Sequence, residues 1–502
     1  MIDALIRLSL RHRLLVLLLA AVLMAVGLRA WMQLPIDAFP DISPTQAKII
    51  LKIPGMTPEE VELRVVKPVE QELLSIPRKR MVRSVSKYGI ADITLDFDEG
   101  VDIYWARQQV NERLTGVMAE LPPGVSGGLA PITTPLSELY MFTVEGEGYS
   151  LAERRRVLDW VLRPELRTIA GVAEVNSLGG EVQTYEVVPD TARMAALGLS
   201  LADLRSALGS NNSNDGAGRL KTGEESLVVR VEGAIRSLDD LRAIRLPLTQ
   251  RQQTVLLEDV ATVRLGALTR YGAVTQDGRG EAVQGLVLGL RGADARKLVD
   301  AIALKLDEMK TRLPDGMRIR TFYNRGELVT RAADTVIKAL AEAAVLVCVV
   351  LYLFLGGLRA ALVVALSLPL TLLTTFQLMQ FAGLTANLMS LGGLAIALGM
   401  LVDASVVVVE NIESSPGAPG EDSRERVLHA VQQVVKPVVA GVLIIGVVFL
   451  PLLTLEELEG KLFSPVALTI VMALAASLVM ALAVIPALAS LVLRPEAAHE
   501  SA

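Results

Sequence analysis

Residues 388–412 read LMSLGGLAIALGMLVDASVVVVENI. A bilayer core of about 30 Å needs roughly 20 apolar residues in a helix, and this run is long enough. Asp403 sits near its middle and Glu410 follows seven residues later. At ~3.6 residues per turn the two acids share one face. An acid at mid-bilayer costs ~2.5–3.5 kcal/mol even on the mild insertion scale, so such residues usually face a bundle interior and mark ion pathways. A desolvated carboxyl favours its neutral form and a nearby cation favours the charged one, which is how a proton site switches. The bland alternative is an acid hydrogen-bonded to a neighbouring helix with no transport role. Asn411 reads as a polar residue at a helix end. Gly392, Gly393 and Gly399 on the same helix read as packing positions, where a missing side chain lets helices approach.

Working outward, five more runs qualify as spans: residues 14–34, 336–355, 360–381, 434–455 and 465–493. The 502 residues are 52% hydrophobic, and the mean hydropathy is +0.45. It is the concentration of apolar residues in six runs that identifies a polytopic membrane protein. No small-x-small cleavage site follows the first run, so it is read as a retained anchor rather than a signal peptide. Arg7, Arg11 and Arg13 precede the first run, Arg359 follows the second, Arg424, Arg426 and Lys436 follow the fourth, and Arg494 lies in the tail. The opposite short loops hold Lys461 alone. By the positive-inside rule both termini are cytoplasmic and the large polar region outside, in a Gram-negative cell the periplasm.

The polar region reads as α+β. Residues 46–53 alternate as a strand, and Thr57-Pro58-Glu59-Glu60 is a capping box opening a helix. Strands are expected at 80–87 and 90–97, and an amphipathic helix at 101–121. That is most of a split-βαβ (ferredoxin-like) unit. A second unit is expected from a strand at 139–144, a helix at 150–169, strands at 172–177 and 182–188, and a delayed helix at 294–313 and strand at 318–323. Residues 190–275 form an insertion. The domain plan is residues 1–34, N-terminus and first helix; 35–135, first polar subdomain; 136–335, second polar subdomain with its insertion; 336–493, helices two to six; 494–502, cytoplasmic tail.

Several chemistries are excluded. The net charge is -6 and no basic tract points to nucleic acid. The single Cys348 forbids an internal disulfide, and residues 35–335 hold neither His nor Cys. A metal site there must use carboxylates, methionine or carbonyl oxygens. No P-loop, CxxC or nucleophile–base constellation is present, so no enzyme activity and no bound cofactor are expected. No Lys or Arg lies at mid-depth in any of the six runs, so Asp403 has no basic partner within its own chain.

The stretches LPIDAFPDISPTQ, YGIADITLDFDEGVDIYWARQQVNERL, LRTIAGVAEVNSLGG, LTANLMSLGGLAIALGMLVDASVVVVEN and FSPVALT together resemble the N-terminal half of an inner-membrane RND (resistance–nodulation–division) efflux permease, most closely the heavy-metal branch. The resemblance covers nearly the whole chain. It implies a proton antiporter, a periplasmic porter region, a docking subdomain at 190–275 and a homotrimer. It also implies a periplasmic adaptor (membrane fusion) protein and an outer-membrane channel as partners. Asp403 matches the proton-relay acid and Glu410 the acid that follows it. Glu138 matches an acid that approaches substrate in zinc-type members, although its context here is Pro135-Leu136-Ser137-Glu138. Ala397 replaces an Asp of the zinc/cobalt type. Leu401 and Val408 stand where copper/silver types carry Met, while Met389 fits that type. Family members have two such halves and twelve helices, so a second-half RND polypeptide is expected as partner if the gene is split. The alternatives are a non-transporting accessory or relict half-permease and a multidrug exporter of organic compounds.

Overall fold

A computed structural model describes residues 2–493 except 38, 135, 249–252, 356 and 416–421. The expected tail at 494–502 and Pro135 lie outside the described residues. The chain starts with a short amphipathic helix, α1 (Ile2–Arg11), which the sequence reading did not anticipate. Helix α2 (Arg13–Gln33) is the first long apolar helix.

The first polar unit holds β1 (Gln46–Lys52), a helix α3 over residues 58–73, β2 (Lys79–Lys87), β3 (Ile90–Phe97), α4 (Ile103–Met118) and β4 (Ser126–Leu129). The capping box forms as expected: the Glu60 N–H donates to Thr57 Oγ1 and the Thr57 N–H to the Glu60 carboxylate. The sheet order is β2-β3-β1-β4, antiparallel throughout. Ile49, Leu51, Ile93 and Leu95 point from it onto Val65, Val69 and Leu73 of α3 and Val110 of α4. The fourth strand pairs closely enough with β1 that a Cβ on Gly127 would sit 2.2 Å from the Ile50 carbonyl oxygen, and Gly127 has φ +119°. Only glycine fits there.

The second unit contains β5 (Glu138–Gly146), a helix α5 over 151–166, β6 (Val172–Gly179) and β7 (Gln183–Pro189). The strand expected at 182–188 forms as β7 but does not join the main sheet. It pairs instead with β12 (Ala261–Ala267). Between them lie α6 (Leu201–Ser210), the hairpin β8 (Asn214–Thr222) and β9 (Glu225–Glu232), then β10 (Arg245–Leu248) paired with β11 (Gln253–Leu256). The place left in the main sheet is filled by β13 (Val283–Gly289), followed by α7 (Ala295–Met309) and β14 (Met317–Asn324). The order is β14-β5-β13-β6. A Cβ on Gly285 would meet the Phe142 ring at 2.4 Å, so the small residue is what lets this aromatic lie over the sheet.

Five further long helices follow. They are α8 (Arg325–Leu355), α9 (Leu358–Phe381), α10 (Leu388–Ser414), α11 (Ser423–Phe449) and α12 (Glu457–Val479, continuing helically to Val492). With α2 these make six helices long and apolar enough to cross a membrane. The chain is a multi-pass membrane protein of mixed α/β construction. Helix α8 begins eleven residues before the apolar run, because polar residues 325–335 extend the helix out of the span. About half or more of the apolar windows of α9, α10 and α12 is buried (50%, 56% and 61%), against 6% for α8 and for α11. The inner layer is therefore α9–α10–α12, with α10 and α12 in the most extensive contact.

Candidate functional site

Helix α10 starts at a built corner. Asn387 Oδ1 accepts from the N–H groups of Met389 and Ser390, and Ser390 Oγ accepts from the Asn387 N–H. This satisfies the first free amides and fixes the rotation of the helix. Leu394, Ala397, Leu398, Leu401, Val408 and Ile412 then face the bundle, all at most 2% exposed. Gly393 lies against α12: an added Cβ would approach the Val466 carbonyl oxygen to 2.9 Å. Further along, Ser477 Oγ of α12 donates to the Leu401 carbonyl at 2.6 Å. The two helices are locked at both levels.

The opposite side of α10 is open. Asp403 and Glu410 both lie exposed on it, together with Ile396, Gly399 and Val407. A Cβ at Gly392 or Gly399 would meet nothing within 4 Å. The spacing Gly392, Gly399, Asp403, Glu410 is seven, four, seven, so these four residues form one stripe along the helix. Asp403 and Glu410 stand about 10 Å apart along the axis. Among the described residues neither acid makes a hydrogen bond or an ion pair within 4 Å. Asn411, by contrast, is used within the bundle: its Nδ2 donates to the Ala430 carbonyl of α11 at 2.7 Å.

The expectation that Asp403 faces the interior needs a sharper statement. Asp403 points away from the interior of these six helices, because the apolar side of α10 is taken by α12 and α9. Of the three glycines, Gly393 packs inside this chain, whereas Gly392 and Gly399 lie on the open face with the acid, Gly399 one turn before it. The sequence reading treated the three alike. The seven-four-seven spacing was the signal that separates them. Glu138 is far from this stripe in the fold: it is the exposed first residue of β5, opposite Leu288 of β13. Among the described residues no cluster of three or more His, Cys, Asp or Glu side chains is arranged to hold a metal.

Residues 5–502 match the model of the AcrB/AcrD/AcrF family. The chain belongs to the AcrB/AcrD/AcrF family. Within this family of RND transporters it falls in the heavy-metal efflux branch. It is 40% identical over 98% of its length to protein HelA of Legionella pneumophila. It is 38% identical over 98% of its length to the cobalt-zinc-cadmium resistance protein CzcA of Cupriavidus metallidurans, and 39% identical over its full length to the cation efflux system protein CusA of Escherichia coli. These matches cover 48%, 48% and 49% of the respective relatives. A crystal structure of a heavy metal efflux pump superposes with a TM-score of 0.87 at 35% identity, covering 97% of this chain and 48% of that one. This AcrB/AcrD/AcrF-family chain thus spans about half the length of the relatives it matches. The open, acid-bearing stripe of α10 belongs to a fold that is elsewhere twice as long.

Proposed function

We propose that the chain acts as the N-terminal half of a proton-coupled permease that exports heavy-metal cations. The observation that carries this reading is Asp403, a carboxyl within a spanning helix, exposed on an open stripe and unpaired among the described residues. Left against lipid it costs ~2.5–3.5 kcal/mol or more. A helix from the complementary half, seated on Gly392 and Gly399 and bringing a basic group to Asp403, removes that cost. Asp403 and Glu410 then form a relay in which arrival of a proton releases the basic group and departure restores the pair.

The rest of the reading follows from the same family. The polar units lie in the periplasm of an inner-membrane protein, with both termini cytoplasmic. They serve as porter subdomains at 35–135 and 136–335, each of split-βαβ type; the sheet orders β2-β3-β1-β4 and β14-β5-β13-β6 support this. The insertion at 190–275 is a docking subdomain. Its hairpin β8–β9 is exposed along β9, with Leu227, Val228 and Val231 56%, 70% and 56% accessible. A lone two-stranded hairpin is marginal in water, and its apolar side chains are accounted for by a neighbouring copy in a homotrimer. A periplasmic adaptor and an outer-membrane channel complete the pump. The names of the relatives support a cation cargo such as zinc, cobalt or cadmium, with Glu138 on its route.

The test is co-expression with the second-half polypeptide in an efflux-deficient host, scored by survival on each metal and on lipophilic drugs. Metal resistance is expected, and Asp403→Asn is expected to abolish it at unchanged abundance. Survival that is the same with Asp403→Asn, or that extends to drugs and not metals, overturns the reading.

A further inference from the structure

The proposed function leaves unused the stretch PIDAFPDISPT at 35–45, which connects α2 to β1. In the structure this strap is one of the places where the layers meet, beside the Arg80–Glu457 ion pair and the packing of α7 against the start of α8. Its start joins the turn before α10: Ile36 bridges Ala386, with the Asp37 N–H donating to the Ala386 carbonyl and the Ala386 N–H to the Pro35 carbonyl. Its end enters the first polar unit, where Phe97 of β3 donates its N–H to the Thr45 carbonyl.

Three cations from three different elements grip the strap between these ends. Arg325, the first residue of α8, is 5% exposed, lies 2.9 Å from Asp37 and donates to the Leu136 carbonyl. Arg291, just after β13 of the second unit, donates to Asp41 at 2.6 Å and to the Ser43 carbonyl at 3.3 Å. Lys461, in the first turns of α12, donates to the same Ser43 carbonyl at 3.1 Å and lies 3.6 Å from Glu99 of the first unit. One backbone oxygen is thus shared by the second polar unit and a membrane helix.

The large apolar cores do not cross this level. Among the described residues, the clusters of the two polar units contain no residue of the helix bundle, and the bundle clusters draw on the strap only through Ile36. Cavities of about 130, 430 and 490 Å³ flank the strap and are lined by Asp41, Arg291 and Lys461 among others. Close-packed apolar surfaces interlock and resist sliding, whereas an ion pair loses its attraction only gradually with distance. A joint made of charged contacts beside open space holds two bodies in register and still lets them shift.

We infer that residues 35–45 are the mechanical link that sets the two polar units on the helix bundle, with Arg291, Arg325 and Lys461 as its positioning residues. Helix α12 is the main packing partner of α10. A displacement of α10 on protonation reaches Lys461 through α12, the Ser43 carbonyl through Lys461, and the second polar unit through Arg291. This last consequence rests on the transport reading given above; the link itself does not.

The test uses the full chain assembled with the second-half polypeptide, in lipid nanodiscs and in a Cys348→Ser background. Spin labels at Glu112→Cys of α4 or Leu304→Cys of α7, each paired with Leu443→Cys of α11, report the distance of the first or the second polar unit from the bundle. Lys461→Gln and Arg291→Gln are each expected to shift or broaden that distance, and Lys461→Arg to preserve it. An unchanged distribution in both glutamine variants overturns the link. In cells, the same variants at normal abundance are expected to lose transport roughly five-fold or more, the size of a modest coupling between sites. The exchange Asp41→Arg with Arg291→Asp is expected to recover part of it. Full transport in both glutamine variants also overturns the inference. If the unsubstituted assembly exports no metal, the transport reading has failed, and the distance measurement alone decides the link. Arg325 is left out of the cellular arm because removing a buried arginine threatens the fold itself.

Discussion

The polar units and the helix bundle treat charge in opposite ways. In the polar units, acids that lie partly buried have arginine partners: Asp96 has Arg83 at 3.4 Å, Glu145 has Arg318 at 2.9 Å, and Glu174 has Arg163 at 3.1 Å. Their sheets also close their own cores, with Ile49, Ile93, Phe142 and Leu158 fully buried. In the bundle, Asp403 and Glu410 stand without such a partner among the described residues, on a helix whose other face is finished. A protein does not complete one region and leave another costly without a reason. The difference teaches that the polar units are settled folds, whereas the bundle carries an acid-bearing face left uncovered among the described residues.

Substitutions can break or sharpen this contrast. The largest effect is expected in a settled core. Phe142→Ala removes a fully buried ring over Gly285 and should destabilise the second unit by about 3–5 kcal/mol, read as loss of hydrogen-exchange protection across β5, β13 and β14. Next comes a matched pair on α10. Gly393→Val drives a side chain into the α12 backbone at Val466 and should cost about 1–3 kcal/mol, seen as lower abundance and easier unfolding in detergent. Gly399→Val meets open space, so the chain by itself should be as stable as before. It should instead weaken capture of the second-half polypeptide in a pull-down. Equal behaviour of the two valine variants would erase the distinction between the closed and open faces.

Smaller effects are expected at the surface of the polar units. Thr57→Ala loses one half of the capping box and should cost about 1 kcal/mol, measured in the exchange rates at the start of α3. The smallest concerns pH. Burial acts to raise the Glu145 carboxyl, but hydrogen bonds from Gln276 and Arg318 and the charges of Arg318 and Arg320 outweigh it and hold the group below its ordinary range. A depressed acid contributes stability above its unfolded value of about 4.5, and that contribution is lost as the pH falls through the lower folded value. The second unit should therefore melt more easily on acidification, and Glu145→Gln should flatten that limb while leaving the unit less stable at neutral pH. A wild-type profile in the variant would show that Glu145 is not part of the settled charge network.

Much of the fold was legible in local sequence. The six apolar runs, the Thr57 capping box and the strands at 46–53, 80–87 and 90–97 each depend on neighbours a few residues apart. The elements that were missed depend on distant ones. Strand β4 is four residues of Ser-Gly-Gly-Leu with no apolar alternation, and it exists because Gly127 lets it lie against β1. Strand β13 is interrupted by Gly285, which looks like a break until Phe142 of another strand covers it. Strand β7 was legible as a strand, but its partner was not, since β12 lies far along the chain. At the candidate site, Asp403 and Glu410 were readable because charge is costly in an apolar run. The spacing placed Gly399 on the acids' face and Gly393 off it, but which of those faces is closed and which open was not readable, because it is set by where α12 sits.

By itself, then, the sequence determined that this chain has six runs long and apolar enough to cross a membrane, that an acid lies within the fourth of them, and where its helices and most strands begin. Hydropathy and capping act over a few residues, so a linear reading captures them. Only the tertiary structure decided which face of α10 remains uncovered, which strand fills the second sheet, and that the strap at 35–45 is held by Arg291, Arg325 and Lys461 together. Those facts rest on residues from 76 to 418 positions apart coming into contact, and such meetings depend on packing geometry rather than on local pattern.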